Sequence, residues 1–302
     1  MQPVYVAPIS FGLGDLVVSL PAIQALIAQG RLNGDETWLV ARSAVQARLA
    51  DRIAGLTGWV DEQSFDRDDH DGRFFDLRDH PLQRDWWWGS AAFEEQFGTL
   101  SINDILGRIC ADFGIRADFD RPIPLAASPR PELAASVLLV AESDGASKQW
   151  SADRWISLAD GLREQGLDPR LVTRDVAAPE IRAFGIAEAC ARSLGDAVDM
   201  LGAAQAVIGI DTGLTHLAAQ QGTPTVAICR PPAVFFRPWP HTRVVVGDRC
   251  DDVCVAAEKE YAYNERVDLR GFRWHPRPCP ARGSCIDSVQ PKDVLDALET
   301  VL

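Results

Sequence analysis

Hydrophobic positions along the chain fall into short runs separated by stretches of helical periodicity. Residues 4–9 cluster as a buried strand and Phe11-Gly-Leu-Gly-Asp15 forms the turn after it. Apolar side chains then recur through Leu16, Leu20, Ile23, Ala25 and Leu26 to Gly30, as on one helix. The alternation continues with strands at 37–41, 58–65 and 74–77 and a helix at 45–53. A small, polar, proline-interrupted segment begins at Ala126 and reads as a linker. Beyond it, strands at 137–141, 170–173, 207–210, 225–229 and 244–246 alternate with helices at 153–164, 179–187, from Leu214 onward, and at 291–302. Strands and helices alternating at this spacing predict an α/β protein with parallel sheets covered by helices on both faces.

Polar residues gather where strands give way to helices. In Val207-Ile-Gly-Ile-Asp-Thr-Gly-Leu-Thr-His216 the apolar run stops at Asp211 and a helical pattern starts at Leu214. A helix start carries unpaired N–H groups and partial positive charge, and Gly213 lets an anion approach the backbone of Thr212, Gly213 and Leu214. His216 adds a donor in the first turn. The alternative is structural: Asp211 and Thr212 cap the helix and His216 packs inside. Lys148-Gln-Trp-Ser-Ala-Asp-Arg-Trp155 repeats the layout, a strand, a loop ending in one of only three lysines in the chain, and a helix opening at Ser151. An ammonium there suits a diphosphate.

At the first turn, a dinucleotide fingerprint needs a third glycine where Val17 stands, which disfavours ordinary Rossmann cofactor binding. Asp15 reads either as a helix-start acid stabilised by the dipole or as a general base. Trp86-Trp-Trp88 reads either as a sugar-stacking platform or as core aromatics.

The chain has 302 residues, 47% of them hydrophobic, enough for two domains each with a core. No uninterrupted apolar run reaches the roughly 18 residues of a membrane span, and Met1 leads straight into a strand, so the expectation is a cytoplasmic protein without a span. A net charge of −13 argues against nucleic acid and against simple electrostatic docking on anionic lipid; peripheral membrane contact stays open. Of seven cysteines, Cys110, Cys190 and Cys229 sit in apolar segments and read as core. Cys250, Cys254, Cys279 and Cys285 form a C-x3-C and a C-x5-C pair in loop-like sequence, a candidate structural zinc or iron site whose alternative is free thiols.

Gly12-Leu-Gly-Asp-Leu-Val-Val-Ser-Leu-Pro-Ala22, Lys148-Gln-Trp-x4-Trp155 and Asp211-Thr-Gly-Leu-Thr-His-Leu-Ala-Ala219 resemble, in order and spacing, the three signature blocks of the family 9 glycosyltransferases, among them the ADP-heptose:lipopolysaccharide heptosyltransferases. The resemblance implies a GT-B-like α/β fold, two Rossmann-like doubly wound domains facing across a cleft. Residues 1–125 would form the acceptor side, 126–134 the linker and 135–302 the nucleotide-sugar donor side. It further implies an inverting transfer of heptose or a related sugar from an ADP-sugar to an acceptor hydroxyl, with no cofactor required for catalysis.

By residue-for-residue match, Asp15 is the base, with Gly12, Leu13 and Gly14 as backbone near the reaction centre. Ser143, Lys148, Thr212, Gly213, Leu214 and His216 meet the donor phosphates, Asp211 meets sugar hydroxyls, and Arg192 flanks the donor base. Cys279-Pro-x4-Cys285 is similar to a family pattern, and some members carry an iron-binding finger in this region. Asp118-Phe-Asp120 has metal-motif spacing but precedes the linker, away from the donor half. Lipopolysaccharide-directed members present basic residues to a phosphorylated acceptor. Residues 43–105 here hold six arginines, no lysine and thirteen Asp or Glu, which points to a small-molecule or protein hydroxyl as an alternative to a lipopolysaccharide glycan. A nucleotide-sugar epimerase and a non-catalytic ADP-heptose-binding protein are the readings outside transfer.

Overall fold

The computed structural model of the protein describes residues 2–68, 71–86, 88–89, 91–143, 148–174, 184–231, 233–248 and 284–302. The first half places β1 (Val4–Ala7), α1 (Leu13–Asn33), β2 (Thr37–Ala41), α2 (Ala44–Ala50), β3 (Gly58–Asp61) and β4 (Arg73–Asp76), followed by helices α3 (Pro81–Arg84), α4 (Ala91–Phe97) and α5 (Ile102–Asp112). All strand pairs are parallel, in the order β3-β2-β1-β4. Residues 113–135 run without strand or α-helix apart from one 3-10 turn at Pro131–Leu133.

The second half is built from β5 (Ser136–Val140), α6 (Ala152–Glu164), β6 (Asp168–Thr173), β7 (Ala187–Cys190), α7 (Leu194–Ala203), β8 (Ala206–Ile210), α8 (Gly213–Gln220), β9 (Thr225–Cys229), β10 (Thr242–Val246), α9 (Ser284–Asp287) and α10 (Pro291–Glu299). Its six parallel strands follow the order β10-β9-β8-β5-β6-β7. β1, β5, β8 and β9 are buried along their whole length, the expected state of strands covered on both faces and the reason they read as unbroken apolar runs.

The two sheets share one core. Leu16, Leu20 and Ile109 from the first half join Leu138, Val140, Val207 and Leu217 from the second in a single apolar cluster. α1 lies between the halves, packed along α8. By length and composition α1 is the one described helix that could cross a membrane, so the apolar length absent from any single run is reached over a whole helix; most of it is buried in the protein. Pro21 inside α1 removes one backbone donor.

Several expectations change. The strand expected at 58–65 stops at Asp61, where Ser64 N–H donates back to the Asp61 carbonyl, and Phe65 instead packs on Tyr5 and Phe74. The helix expected at 179–187 lies mostly outside the described residues, and its end, Ala187, opens the edge strand β7. Cys190 is exposed rather than core, its thiol donating to the Arg174 carbonyl. Cys110 and Cys229 are buried, and burial pushes the Cys110 thiol up to about 12. α5 has a signal passed over in the sequence: Ser101 accepts from Asp104 N–H while Asp104 accepts from Ser101 N–H, ahead of Ile102, Ile105, Leu106 and Ile109 on one face.

Arg237, in the loop between β9 and β10, pins the two halves together. It is 3% exposed. Its Nη1 donates to Asn103 Oδ1 at 2.8 Å and its Nη2 to the Val18 carbonyl of α1, with its guanidinium over the rings of Phe119 and Trp239. No carboxylate is among these partners, and burial pushes the guanidinium down to about 9. Replacing Arg237 by Ala removes the donors of two acceptors and opens a cavity, so it is expected to lower stability by about 3 kcal/mol in urea unfolding. Arg237→Met, which keeps the apolar stem and buries no charge, is expected to recover most of that loss; an alanine variant as stable as the parent would refute the pinning role.

Candidate active site at the strand ends

In an open parallel sheet, ligands sit outside the carboxyl ends of the strands where the order of connection reverses. In the second sheet the chain proceeds outward from β5 through β6 to β7, then returns to β8 on the other side of β5, so the reversal lies between β5 and β8. Lys148 follows β5 and Asp211 follows β8. In the first sheet β2 and β4 flank β1, and the reversal lies between β1 and β4, beside the turn that leads into α1.

Lys148, Asp211 and His216 meet at the first of these points. Lys148 Nζ donates to Asp211 Oδ2 at 2.7 Å and to the Asp211 carbonyl at 3.1 Å. Asp211 Oδ1 is 3.1 Å from His216 Nε2. The buried His216 ring stacks on Phe236, with centroids 4.7 Å apart. Burial by itself raises the Asp211 carboxyl, but the His216 hydrogen bond and the charges of Lys148 and His216 outweigh it and hold the group well below the usual carboxylate range. Asp211 is therefore ionised, and the Nε2–H of His216 donates to it. Thr215 Oγ1 donates to the Ile210 carbonyl at 2.6 Å, locking the strand end to the first turn of α8.

The second reversal point lies directly against this one. A methyl group added at Gly213 would come 2.6 Å from Leu13 Cβ and 3.0 Å from Gly14 N, and one at Gly14 would come 3.2 Å from His216 Cδ2. The starts of α1 and α8 thus abut through Leu13, Gly14 and Gly213, and both helices point their positive ends at the same region. Asp15 follows at once and is half-buried. Its Oδ2 accepts from Gly12 N–H at 2.8 Å, and its carbonyl accepts from Ser19 Oγ at 2.6 Å. Arg42 lies nearby, its guanidinium paired with Glu62 and Asp76; burial pushes it down to about 10 against the pull of Asp76.

Gly12, Leu13, Gly14, Asp15, Lys148, Asp211, Gly213 and His216 are therefore brought together, with Thr212 and Leu214 flanking Gly213 at the start of α8. Ser143 lies half-buried beyond β5, its carbonyl accepting from Gln149 Nε2. Arg192 is exposed just past β7 on the same rim, three strands from β8 and so about 14 Å along the sheet edge at ordinary strand spacing. Of the four cysteines, Cys285 is a buried free thiol in α9, and Cys250, Cys254 and Cys279 lie outside the described residues. Among the described residues no group of three or more His, Cys, Asp or Glu could hold a metal ion. Trp88 is buried, its Nε1 donating to the Leu82 carbonyl and its ring against Phe235, so it is core; Trp87 lies outside the described residues. The sequence reading missed Phe236, which backs the His216 ring from a proline-interrupted loop with no periodicity to mark it, and Arg42, which directly follows a strand as Asp211 does.

Residues 115–262 match the family described as glycosyltransferase family 9 (heptosyltransferase). No curated protein sequence matches the chain. Among solved structures, the fold is similar to a family 9 glycosyl transferase from Veillonella parvula DSM 2008, at 14% identity over 99% of this chain and 97% of that one, with a TM-score of 0.68. It is also similar to E. coli heptosyltransferase WaaC with ADP-2-deoxy-2-fluoro heptose, at 15% identity over 86% and 98% of the two chains and a TM-score of 0.57. A third is the iron-containing dodecameric glycosyltransferase TibC from enterotoxigenic E. coli H10407, at 16% identity over 99% and 76% and a TM-score of 0.63.

The depressed Asp211 carboxyl sets a pH dependence. A carboxyl held below its ordinary 3.8 in the folded protein stabilises the fold fully above that pH, and the contribution is lost as the pH falls. Asp211→Asn is therefore expected to be less stable than the parent at pH 7, with the gap narrowing at pH 3 in urea unfolding. A gap equal at both pH values would show that the charged contacts contribute nothing.

Proposed function

We propose, from the match of residues 115–262 to glycosyltransferase family 9, that this chain is a member and transfers a heptose or related sugar from an ADP-sugar to an acceptor hydroxyl, with inversion and without a metal ion in the chemical step. Its two parallel-sheet α/β lobes have the GT-B fold. The observation that carries the proposal is the abutment of the two helix starts beside Lys148, which puts a cation and uncapped backbone donors opposite a carboxylate. Residues 135–302 would hold the donor, 1–125 the acceptor and the base, and 126–134 would link them, in the cytoplasm where the nucleotide sugar is available.

In the proposed step Asp15 takes the proton of the acceptor hydroxyl as its oxygen forms the new bond to the anomeric carbon. The bond from that carbon to the diphosphate oxygen breaks on the opposite face, and its electron pair leaves with ADP. Asp211 and Lys148 nearly cancel in charge, so the stabilisation of the departing diphosphate falls to the α8 amides at Thr212, Gly213 and Leu214 and to the donor capacity Lys148 has left. An ammonium has three N–H groups, and two are used on Asp211. Asp211, oriented by Lys148 and His216, would accept from sugar hydroxyls, and Ser143 and Arg192 would lie along the phosphates and the base. The donor assignment is supported by the ADP-2-deoxy-2-fluoro heptose in WaaC.

A neutral or cationic acceptor, a small molecule or a protein hydroxyl, fits this chain better than a phosphorylated lipid. In the acceptor half Arg52, Arg73, Arg78 and Arg84 are each paired with a carboxylate: Asp199, Asp35, Glu62 and Asp85. Little positive charge is left for phosphates among them.

Mass spectrometry after incubation with ADP-heptose and neutral glycan, peptide and deacylated lipopolysaccharide-core acceptors is expected to show a heptosyl adduct on one of the first two; an adduct on the core alone would overturn the acceptor assignment. Asp15→Ala is expected to lower transfer on the order of 1,000-fold while leaving ADP affinity unchanged. Lys148→Ala is expected to weaken ADP binding about tenfold by calorimetry. Transfer by Asp15→Ala at the parental rate would remove the base from the scheme.

A further inference from the structure

The turn that carries Asp15 has all its carbonyls held by side chains from neighbouring elements. The Pro8 carbonyl accepts from Arg42 Nε at 2.9 Å, Ile9 from Gln83 Nε2 at 3.0 Å, and Phe11 from Ser43 Oγ at 2.7 Å. Gln46 Nε2 supplies the Ser10 carbonyl at 2.7 Å and the Gly12 carbonyl at 3.1 Å. Three of the four donors, Arg42, Ser43 and Gln46, come from the end of β2 and the start of α2: Arg42 and Ser43 join the two elements and Gln46 is in the first turn of the helix. Gln46 is fully buried, and its Oε1 accepts from Arg42 N–H at 2.9 Å, so both amide hydrogens and the amide oxygen are committed.

Pro8 and Ile9 are buried and their carbonyls need protein partners, but Ser10, Phe11 and Gly12 are open enough for water to serve, and they too are held by side chains. The trans geometry of the peptide unit supplies a use for them. A carbonyl held toward α2 aims the N–H of the same peptide the opposite way. In the peptide between Phe11 and Gly12 both ends are engaged: Ser43 holds the carbonyl, and the N–H donates to Asp15 Oδ2 at 2.8 Å. A donor on the carbonyl also polarises the N–H of the same unit and strengthens its bond to the carboxylate.

We propose that Ser43 and Gln46, seconded by Arg42, are positioning residues that fix the Asp15 carboxylate through the peptide planes of residues 8–12. They do not touch the donor or the acceptor. The proposal rests on the assignment of Asp15 as base, but the order of the turn can be read without any sugar transfer.

The test pairs two variants with two measurements. Gln46→Glu is isosteric and turns the donor that serves two carbonyls into an acceptor; Ser43→Ala removes one hydroxyl at a half-buried site. Hydrogen exchange of the 9–13 amides reports the order of the turn. Release of ADP from ADP-heptose by hydrolysis, with water taking the heptosyl group and Asp15 its proton, and ADP affinity measured by calorimetry report chemistry and donor binding separately. Gln46→Glu is expected to speed exchange across the turn and to lower turnover on the order of 100-fold, as small misplacements of reacting groups do. Ser43→Ala is expected to lower turnover about fivefold, the worth of one hydrogen bond.

In both variants the KM for ADP-heptose and the ADP affinity are expected to stay at the parental values. Unchanged exchange in both variants, parental turnover in Ser43→Ala, or a loss of ADP affinity matching the loss of turnover would overturn the positioning role. If Gln46→Glu does not fold, Ser43→Ala decides alone. A parent that releases no ADP while the variants still loosen the turn would strike the transferase scheme and leave the clamp standing.

Discussion

Everything near the candidate site follows from one close approach, the backbone of Gly213 against Leu13 and Gly14. No side chain fits at Gly213, because its first carbon would overlap Leu13 and crowd the Gly14 amide. The absence of that carbon lets two helix starts from two sheets come within van der Waals contact. Their dipoles then add in one region instead of being spread over two surfaces. Lys148 and His216 gather around Asp211 on one side of the contact, and Asp15 follows it on the other.

Like-charged helix ends repel, so the approach needs something to hold it. The shared apolar cluster provides most of that: Leu16 and Leu20 of α1 and Leu217 of α8 all belong to it, and the two helices pack on one another. Polar ties reinforce it at the edges: Arg52 to Asp199, Gln221 exchanging hydrogen bonds with the Leu125 backbone, and Arg237 reaching the Val18 carbonyl. Each joins an element of one sheet's lobe to the other or to the segment between them. Asp211 adds a local counter-charge, its ionised form stabilised by His216 and Lys148.

Much of this was legible in the sequence, and the parts that were not have physical reasons. The block from Asp211 to His216 stands out because an apolar strand stops on a carboxylate and a glycine precedes a helical pattern. Lys148 stands out because lysine is so rare in this chain. β7 was misread because an edge strand with three of its four side chains exposed has no apolar run to reveal it. Phe236 and Arg237 come from a proline-interrupted loop whose partners are more than a hundred residues away for Arg237 and cannot be paired by local pattern. Gln46 sits inside a short helix where its amide resembles any other polar position; only its complete burial against the turn at 8–12 separates it from a surface residue.

The apolar character of α1 also bears on how the chain is made. Residues 13–33 leave the ribosome well ahead of Val207, Leu217 and Ala218, which complete the cluster around that helix and are synthesised nearly two hundred residues later. Until they emerge, a helix apolar enough to suit a bilayer has only the sheet and helices of the first half to cover it. The nascent first half is thus born with a sticky flank, and vectorial synthesis alone cannot finish it. Its maturation waits on the second half of the same polypeptide, so a split into separately produced halves would leave the earlier piece dependent on a chaperone or on prompt reunion with the later one.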